Sequence, residues 1–391
     1  MRLLILGYEF PPLGGGAGNA TAELVRSLES YRDMEVVVVT SSDGEARVDR
    51  NGFTSNSVIH YVSVGKSGRG IHYQSNLELA RYVVAADRFL RRLVKQQSFD
   101  CCHAIMTVPA GINAWLLRNH CSYVVSLQGS DVPGFSGRYR ALYPILRPMI
   151  RRIWNDSKGV VANSGGLRDL ALRSAPRQAI DVIPNGIDTD KFRPSNGTNQ
   201  AEGPRIICVG RLIERKGIRE LVDAFRQVIA RIPAARLDLV GEGKLEDEVR
   251  ARVAGYGLEH AVVVHGALDH DQLPQLLQRA AVFALPSHWE GMSNALAEGI
   301  ACGLPVVVTD TGGTAELVDG NGRVVPIKDT DGLAAALIEL LSDDTLRRQM
   351  GERSREIALR YSWQAMTASY VRLYEAAALE GSGTLARRLA S

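Results

Sequence analysis

The sequence predicts an α/β protein with two doubly wound parallel sheets, each in its own domain. Strand-length apolar runs alternate with helical stretches along almost the whole chain, as expected when helices cover both faces of a parallel sheet. The alternation stops in "IPNGIDTDKFRPSNGTNQAEGPR", residues 183–205, which is rich in Pro, Gly, Asn and Thr, and then restarts. A length of 391 residues also fits two domains.

The first domain is predicted over residues 1–184. It begins with the strand "RLLIL", a helix over about residues 20–30 and the strand "EVVVVT". The strands "YVVSL" and "GVVANS" follow later in the same domain. Because ligands of doubly wound sheets bind at the carboxyl ends of the strands, the loops after these strands are candidate site segments.

The second domain is predicted over residues 205–362, after a linker over residues 185–204. Its strands are predicted in "RIICVG", "RLDLVGEG", "AVVVHG", "AVFALPS" and "LPVVVTD". A final helical segment takes up residues 363–391. These boundaries place two complete cores in one chain.

Composition excludes several classes of protein. The hydrophobic share of 45% and the charged share of 23% are those of an average globular protein. No apolar run approaches the roughly 20 residues that cross a bilayer, and we expect no export signal. The five cysteines show no C-x-x-C spacing, so neither a disulfide framework nor a zinc site is expected. A cytoplasmic protein fits these features.

Charge is distributed unevenly along the chain. Residues 1–184 carry 22 Lys and Arg against 15 Asp and Glu, whereas residues 185–391 carry 24 against 28. The first domain is therefore the better candidate for contact with an anionic partner. In residues 138–154, arginines alternate with apolar residues, which fits either a helix at a membrane surface or an amphipathic helix packed on its own domain. Nucleic acid is not expected, because no interleaved aromatics or known motif are present.

Two carboxylates, Glu290 and Glu298, stand on either side of a predicted helix start. After the strand "AVFALPS", Ser293 or Asn294 can cap a helix. The unpaired N–H groups and partial positive charge of a helix N-terminus favour an anion, so an anion-binding segment is expected at Gly291, Met292, Ser293 and Asn294.

A carboxylate can accept hydrogen bonds from two adjacent hydroxyl groups. A nucleotide sugar is a ligand with an anionic centre and a diol at each end. We expect Glu298 to bind the ribose diol and Glu290 to bind the sugar hydroxyls. Two glutamates at this spacing also occur as solvated charges on ordinary helices, and that alternative stays open.

The matching cations are expected at the start of the same domain, in "VGRLIERKG". Arg211 and Lys216 lie in the turn between a strand and a helix. A guanidinium that can bind two phosphate oxygens and an ammonium point charge suit a diphosphate leaving group, whose negative charge grows as the glycosidic bond breaks. The alternative is a basic turn exposed to water.

Together these motifs resemble the retaining glycosyltransferases of family 4, which have the GT-B fold. The similarity is carried by "GRLIERKG", "LVGEG", "VHGAL" and "ALPSHWEGMSNALAEGIACGLPVVVTDTGG", and it extends to "YEFPPLGGGAGNATAELVRSL", "IPNGIDTDKF" and "YSWQAMTASYVRLYEAA". It covers nearly the whole chain. The resemblance implies two Rossmann-like domains facing across a cleft, with a C-terminal helix that crosses back to the first domain.

The resemblance also implies roles for single residues. Arg211 and Lys216 match the basic pair that holds the donor diphosphate. Glu298 matches the acid on the ribose, and Glu290 matches the acid near the donor sugar. Catalytic roles are thus expected for Glu290, Arg211 and Lys216.

In the first domain, the family's glycine-rich loop approaches donor and acceptor. It corresponds here to Gly14, Gly15 and Gly16, where the absence of side chains lets a backbone come close to a ligand.

Three further residues match, in part, the family's sugar-binding positions in the first domain. The family often carries H-x-H, whereas this chain has His103 followed by Ile105; many members read H-G-S-D where this chain has Gln128 and then Asp131. Gln128 can hydrogen-bond a sugar but cannot carry a proton at neutral pH. His103, Gln128 and Asp131 are therefore candidates for the acceptor or sugar cleft, and a core or loop role for His103 stays open.

Two other patterns are interpreted as coincidences. "DTD" occurs at residues 188–190 and 329–331, but the first precedes the linker and the second introduces a helix, so no metal site and no cofactor are expected. "GGGAGN" and "GEGKLE" do not fit the G-x-G-x-x-G pattern of dinucleotide binding.

The predicted reaction is transfer of a sugar from a UDP- or GDP-sugar to a hydroxyl acceptor with retention of configuration. A saccharide or lipid-linked acceptor in cell-surface polysaccharide or glycolipid synthesis is expected, with peripheral membrane contact through the first domain as one option. An epimerase, a sugar phosphorylase and a non-catalytic partner subunit remain alternatives.

Overall fold

The computed structural model describes residues 1–13, 15–42, 44–50, 53–65, 75–135, 143–195, 203–311 and 313–389. The chain divides into two compact units: unit 1 is Met1–Gly186 with Trp363–Ser391, and unit 2 is Ile187–Ser362. Most of the predicted linker, from Ile187 onward, therefore belongs to unit 2. Ile187, the first residue of unit 2, is attached to the end of that unit, because its N–H donates to the carbonyl of Tyr361 at 2.9 Å.

The sheet of unit 1 has eight strands in the described residues. The strands are β1 (Arg2–Leu6), β2 (Glu35–Ser42), β3 (Arg47–Arg50), β4 (Ser57–Ser63), β5 (Cys101–Ile105), β6 (Ser122–Leu127), β7 (Gly159–Ala162) and β8 (Asp181–Val182). Their order is β3-β4-β2-β1-β5-β6-β7-β8, with β3 antiparallel to β4 and the other pairs parallel. The four predicted strands are confirmed as β1, β2, β6 and β7.

Helices cover this sheet on both faces. Five of them are α1 (Gly16–Leu28), α2 (Asn76–Gln96), α3 (Ile112–Leu116), α4 (Tyr143–Asp156) and α5 (Gly165–Leu172). Helix α1 begins at Gly16, so the predicted start near residue 20 was wrong. Glycine disfavours an exposed helix, but here packing allows glycines in the first turn. Gly18 is buried, and a Cβ at that position would lie 3.3 Å from Glu9 and from Leu13.

Helix α4 contains most of the amphipathic segment predicted over residues 138–154. Residues 138–142 of that segment lie outside the described residues. Ile150, Ile153 and Trp154 are buried in the unit 1 core, whereas Arg147 and Arg152 are exposed. The apolar side of this helix therefore packs on its own domain. No helix among the described residues has the length and apolar character needed to span a bilayer.

Unit 2 contains a six-stranded parallel sheet. Its strands are β9 (Arg205–Val209), β10 (Arg236–Val240), β11 (Val262–Gly266), β12 (Val282–Leu285), β13 (Val306–Thr309) and β14 (Gly322–Val325). The accompanying helices are α6 (Ile218–Arg231), α7 (Glu246–Gly255), α8 (Leu273–Arg279), α9 (Asn294–Ala301), α10 (Thr330–Ser342) and α11 (Asp344–Leu359). The five predicted strands are confirmed, and β14 was not predicted. Ile206 and Cys208 pack into one cluster and Ile207 into another, so the sheet is buried on both faces.

The strand order of unit 2 marks one edge of its sheet as the expected ligand site. The order is β11-β10-β9-β12-β13-β14, so the chain proceeds outward from β9 to one side and then returns to β12 on the other. A doubly wound sheet binds ligands at such a reversal, beyond the carboxyl ends of the two central strands. The loops after β9 and β12 are the two that contain the predicted cations and Glu290.

The helix α12 (Trp363–Leu389) follows unit 2 in the chain but packs in unit 1. Met366, Tyr370, Tyr374 and Ala377 are buried in the same cluster as β1, β5 and β6. At its start, a Cβ on Gly186 would lie 2.5 Å from the Cα of Trp363. The first core is thus completed by a segment distant in sequence.

Candidate functional site

The loop after β9 carries the predicted cations. A short 3₁₀ turn, Glu214–Lys216, ends at Gly217, whose φ of 65° lies in the left-handed region that favours glycine. A Cβ on Gly217 would lie 2.0 Å from the carbonyl oxygen of Pro286, so this loop touches the loop after β12. Lys216 is buried, whereas Arg211 is exposed in the same loop.

The loop after β12 holds Glu290, which the fold brings directly to Lys216. Its carboxylate accepts hydrogen bonds from the ammonium of Lys216 and, at 2.7 Å, from the guanidinium of Arg215. Burial would raise the pKa of Glu290, but Lys216 and Arg215 outweigh this effect and hold the pKa below its ordinary value. The site therefore contains a buried, ionised carboxylate between two cations.

The predicted helix start after Glu290 is confirmed. Ser293 is the N-cap of α9, and its hydroxyl accepts from the N–H of Leu296 at 3.4 Å. Gly291 and Met292 are buried, and Asn294 is the first helical residue. A Cβ on Gly313 would lie 2.4 Å from the carbonyl oxygen of Gly291, so this backbone is closely packed.

Glu298 lies within α9 and has a different partner. Its Oε1 is 2.9 Å from Nε2 of His270, and its side chain is 16% exposed. His270 belongs to the loop between β11 and α8 and also contacts Lys191. The two predicted acids are thus held separately, Glu290 by the loop after β9 and Glu298 by the loop after β11.

The glycines predicted in unit 1 lie at the start of α1. Gly15 is the N-cap residue, and its N–H donates to the carboxylate of Glu9 at 3.1 Å. No atom lies within 4 Å of a Cβ built on Gly15, and Gly16 begins the helix. Gly14 lies outside the described residues.

His103 lies in the core, which is the alternative to a sugar-binding cleft that the sequence left open. It is 1% exposed in β5, and its Nδ1 lies 2.8 Å from the hydroxyl of Tyr374 in α12. Burial lowers the pKa of His103 to about 3, so the ring is neutral at physiological pH. This is a core position, and the burial of the ring does not support contact with a sugar.

Asp131 is a buried acceptor for a loop. Its carboxylate accepts from the N–H of Thr107 at 2.8 Å and from those of Gln128 and Gly129 at 3.1 Å. Burial raises the pKa of Asp131, and these backbone hydrogen bonds oppose that rise. Gln128 is half-buried, and its amide lies within 3.4 Å of Ser126 and Asn163. Asp131 therefore holds the loop after β6 against the turn after β5, where sequence reasoning expected a contact with ligand.

The first "DTD" segment forms a backbone turn, and the second begins helix α10. Asp188 accepts from the N–H groups of Asp190 and Lys191, and Asp329 is the N-cap of α10. Within the described ranges, no group of three His, Cys, Asp or Glu is arranged to bind a metal ion.

Two family models match this chain. The model of glycosyl transferases group 1 matches residues 188–357, and that of glycosyltransferase family 4 matches residues 14–191. The phosphatidyl-myo-inositol mannosyltransferase of Mycolicibacterium smegmatis is 30% identical over 330 residues, which are 81% of this chain and 81% of that protein. The chain belongs to the family 4 glycosyltransferases.

This glycosyltransferase is similar to further proteins over nearly its whole length. A GDP-mannose-dependent alpha-(1-6)-phosphatidylinositol monomannoside mannosyltransferase of Mycobacterium tuberculosis is 26% identical over 94% of this chain and 96% of its own. The structure of sucrose-phosphate synthase from Thermosynechococcus elongatus matches with a TM-score of 0.80 at 22% identity, over 96% of this chain and 98% of its own. This likeness shows that the fold is GT-B.

The site of this glycosyltransferase contains residues that sequence reasoning did not single out. Arg215 binds Glu290 and donates at 2.8 Å to the carbonyl of Trp289. His288 is 3% exposed and lies 2.9 Å from the carboxylate of Glu220 in α6. His270 contacts Glu298 from a loop 28 residues earlier in the chain. The charge of Arg215 was visible in the sequence, but its partner 75 residues away was not.

Proposed function

We propose that this glycosyltransferase moves a hexose from a nucleoside diphosphate sugar to a hydroxyl acceptor and retains the anomeric configuration. The observation that supports the proposal is the contact of Glu290 with Lys216 and Arg215, at the carboxyl ends of the two central strands. A buried carboxylate orders cations at a place where a doubly wound sheet binds anionic ligands.

In the proposed reaction, the acceptor hydroxyl attacks the anomeric carbon from the face on which the diphosphate leaves. The bond to the acceptor oxygen forms, the bond to the diphosphate oxygen breaks, and the acceptor proton passes to the departing diphosphate. Arg211, Lys216 and the N–H groups at the start of α9 stabilise the growing negative charge. Because these groups supply positive charge, we propose that the diphosphate is held without a metal ion.

The two acids have different roles in this proposal. Glu290 is ionised, so it can accept hydrogen bonds from a donor sugar hydroxyl while it fixes the ammonium of Lys216. Glu298 binds the ribose hydroxyls through the oxygen that His270 does not contact. Gly291, Met292 and Asn294 offer backbone near the phosphates.

The names of the relatives guide the choice of donor and acceptor. One relative is described as GDP-mannose-dependent, and both mannosyltransferases are named for phosphatidylinositol acceptors. We therefore propose GDP-mannose as the first donor to test, with UDP-sugars as the alternative, and a lipid-linked or polysaccharide acceptor of the cell surface.

We also propose contact with the cytoplasmic face of a membrane through unit 1. Arg147 and Arg152 are exposed on α4, where arginine side chains can meet anionic headgroups. Binding to vesicles that contain anionic phospholipid should weaken when Arg147→Glu and Arg152→Glu are combined. Equal binding to neutral and anionic vesicles would contradict this contact.

The deciding experiment measures nucleoside diphosphate released from a panel of GDP- and UDP-sugars in the presence of EDTA. We expect release from one donor by the wild type and loss of release in Glu298→Ala. The control is Glu339→Ala, which removes a surface carboxylate paired with Arg323 at 2.6 Å. The anomeric configuration of the glycoside, read by NMR, tests retention.

The same panel separates the alternatives. A free epimerised sugar nucleotide would indicate an epimerase, and a requirement for orthophosphate as acceptor would indicate a phosphorylase. No release from any donor, with mixed acceptors present, would favour a partner subunit without turnover.

A further inference from the structure

The side chain of His270 connects Glu298 to Lys191. Nε2 of His270 lies 2.9 Å from Oε1 of Glu298, and Nδ1 lies 3.0 Å from Nζ of Lys191. The ring also meets the buried ring of Phe192 edge to face, with 5.2 Å between the centroids. Both ring nitrogens and the orientation of the ring are therefore specified by neighbours.

These contacts define which nitrogen of His270 carries the proton. A lysine ammonium only donates hydrogen bonds, so Nδ1 of His270 must accept from Lys191. A neutral imidazole that accepts at Nδ1 carries its proton at Nε2. The N–H at Nε2 consequently donates to Oε1 of Glu298.

Lys191 is itself held in place by neighbouring groups. Its ammonium donates to the carboxylate of Asp271 at 2.6 Å, and its backbone N–H donates to Asp188 at 2.9 Å. Lys191 lowers the pKa of Asp271, which therefore stays ionised beside the ammonium. The lysine thus reaches Nδ1 from a short turn that Asp188 closes.

The turn around Lys191 is attached to the far end of α9. The guanidinium of Arg355 donates to the carbonyls of Thr189, Phe192 and Ala301 at 3.0, 2.9 and 2.8 Å. Ala301 is the last residue of the helix that carries Glu298. The segment that fixes His270 is therefore fixed to the same helix as the glutamate.

We propose that His270 is a positioning residue for ribose recognition, acting through Glu298. It occupies Oε1 and orients the carboxylate so that Oε2 accepts from the ribose hydroxyls of the donor nucleotide. Oε2 has no hydrogen-bond partner of its own among the residues described by the structure. This inference rests on the proposed function, which places the ribose at Glu298.

The inference concerns discrimination between nucleotides that differ only in their ribose hydroxyls. Dissociation constants are measured for GDP and 2′,3′-dideoxy-GDP, and for the UDP pair if UDP is the nucleotide bound. The preference of the wild type for the hydroxylated nucleotide should be about tenfold or more, the value of hydrogen bonds to a charged group. In His270→Ala most of this preference should be lost, while the affinity for the dideoxy nucleotide changes little.

Further variants separate positioning from a general structural effect. In Glu298→Ala the preference should vanish, and adding His270→Ala to that variant should not change the ratio again. His270→Gln, whose Nε can donate where Nε2 of the histidine does, should restore part of the preference. His260→Ala, which removes an exposed histidine after α7, should keep the wild-type ratio.

Two outcomes would overturn the inference. In the first, the wild type prefers the hydroxylated nucleotide and Glu298→Ala does not, but His270→Ala keeps the full preference or weakens the binding of both nucleotides equally. His270 then does not position the carboxylate, and the proposed function is unaffected. If the wild type binds neither GDP nor UDP, the proposed function fails and this inference fails with it.

Discussion

The carboxylate of Glu290 contacts the ammonium of Lys216 across a gap of 74 residues in the chain. Glu290 follows β12 and Lys216 follows β9, and these two strands are neighbours in the sheet. The pair thereby connects the loops on either side of the reversal in strand order. Both side chains are at most 10% exposed, so each charge depends on the other for its stability.

Glu290→Gln tests this dependence. The variant removes the negative charge and leaves two cations without it, so Lys216 and Arg215 should no longer hold their positions. We expect kcat to fall about 10²–10³-fold and the free energy of unfolding to fall by about 3 kcal/mol. Steady-state kinetics and denaturant unfolding measure the two effects.

The matched control for Glu290→Gln is Glu246→Gln. Glu246 also pairs with an arginine, Arg250, at 2.9 Å, but this pair lies on the surface of α7. Loss of an exposed pair should cost less than about 1 kcal/mol. Equal losses of stability and activity in both variants would contradict a special role for Glu290.

Gly217→Ala should disrupt the contact between the two site loops. The residue has a positive φ, and its Cβ would overlap the carbonyl oxygen of Pro286. We expect a loss of about 1–3 kcal/mol of stability and reduced donor binding, measured by thermal unfolding and nucleotide titration. Gly255→Ala in α7 is the comparison, because its Cβ meets no atom within 4 Å and should stabilise by about 0.5–1 kcal/mol.

His103 should make folding depend on pH. Its folded pKa of about 3 lies below the unfolded value of 6.5, so below pH 6.5 the unfolded chain binds a proton that the folded chain does not. The contribution of His103 to the free energy of unfolding is therefore fully present above pH 6.5 and is lost as the pH falls towards 3. Between these two pH values, His103 alone should change the free energy of unfolding by about 1.4 kcal/mol per pH unit.

The test compares the wild type with His103→Gln between pH 4 and 6. Removing the histidine should reduce the pH slope of the unfolding free energy by up to that amount, although the variant loses some stability at every pH. An unchanged slope would mean that His103 is protonated in the folded state.

Asp131→Asn should loosen the loops after β5 and β6. The asparagine amide can replace only part of the carboxylate, which accepts from Thr107, Gln128 and Gly129. One unsatisfied backbone N–H costs about 1–3 kcal/mol, measurable by chemical denaturation. Asp169→Asn, on the exposed side of α5, should have a much smaller effect.

Most of the strands that the sequence predicted are buried on both faces, whereas β11 was predicted although Val263 is exposed. Burial on both faces explains the continuous apolar runs at β1, β2, β6, β9 and β13. β4 and β5 were not predicted, although both strands lie inside the sheet; each contains one histidine, His60 or His103.

Glu290, Glu298 and Lys216 were singled out from the sequence, because charged residues beside strand ends are visible there, and the structure brings Glu290 and Lys216 into contact. Their other partners were not singled out, since Arg215, His270 and Lys191 meet them only after the chain has folded. For His103, a partial motif suggested the sugar cleft, and a core role stayed open. Its burial against Tyr374 depends on a helix 271 residues later, which local sequence does not reveal.

The packing of α12 in unit 1 also has a consequence for synthesis on the ribosome. Residues 1–186 emerge first, but the core they form lacks Met366, Tyr370 and Tyr374 until at least 180 further residues (366 − 186) have been translated. At about 5–20 residues per second, that interval lasts about 10–35 s. During this time unit 2, which is continuous in sequence, can fold while the nascent first unit still exposes apolar surface around β5 and β6. A chaperone that binds nascent chains would meet this protein through its first unit.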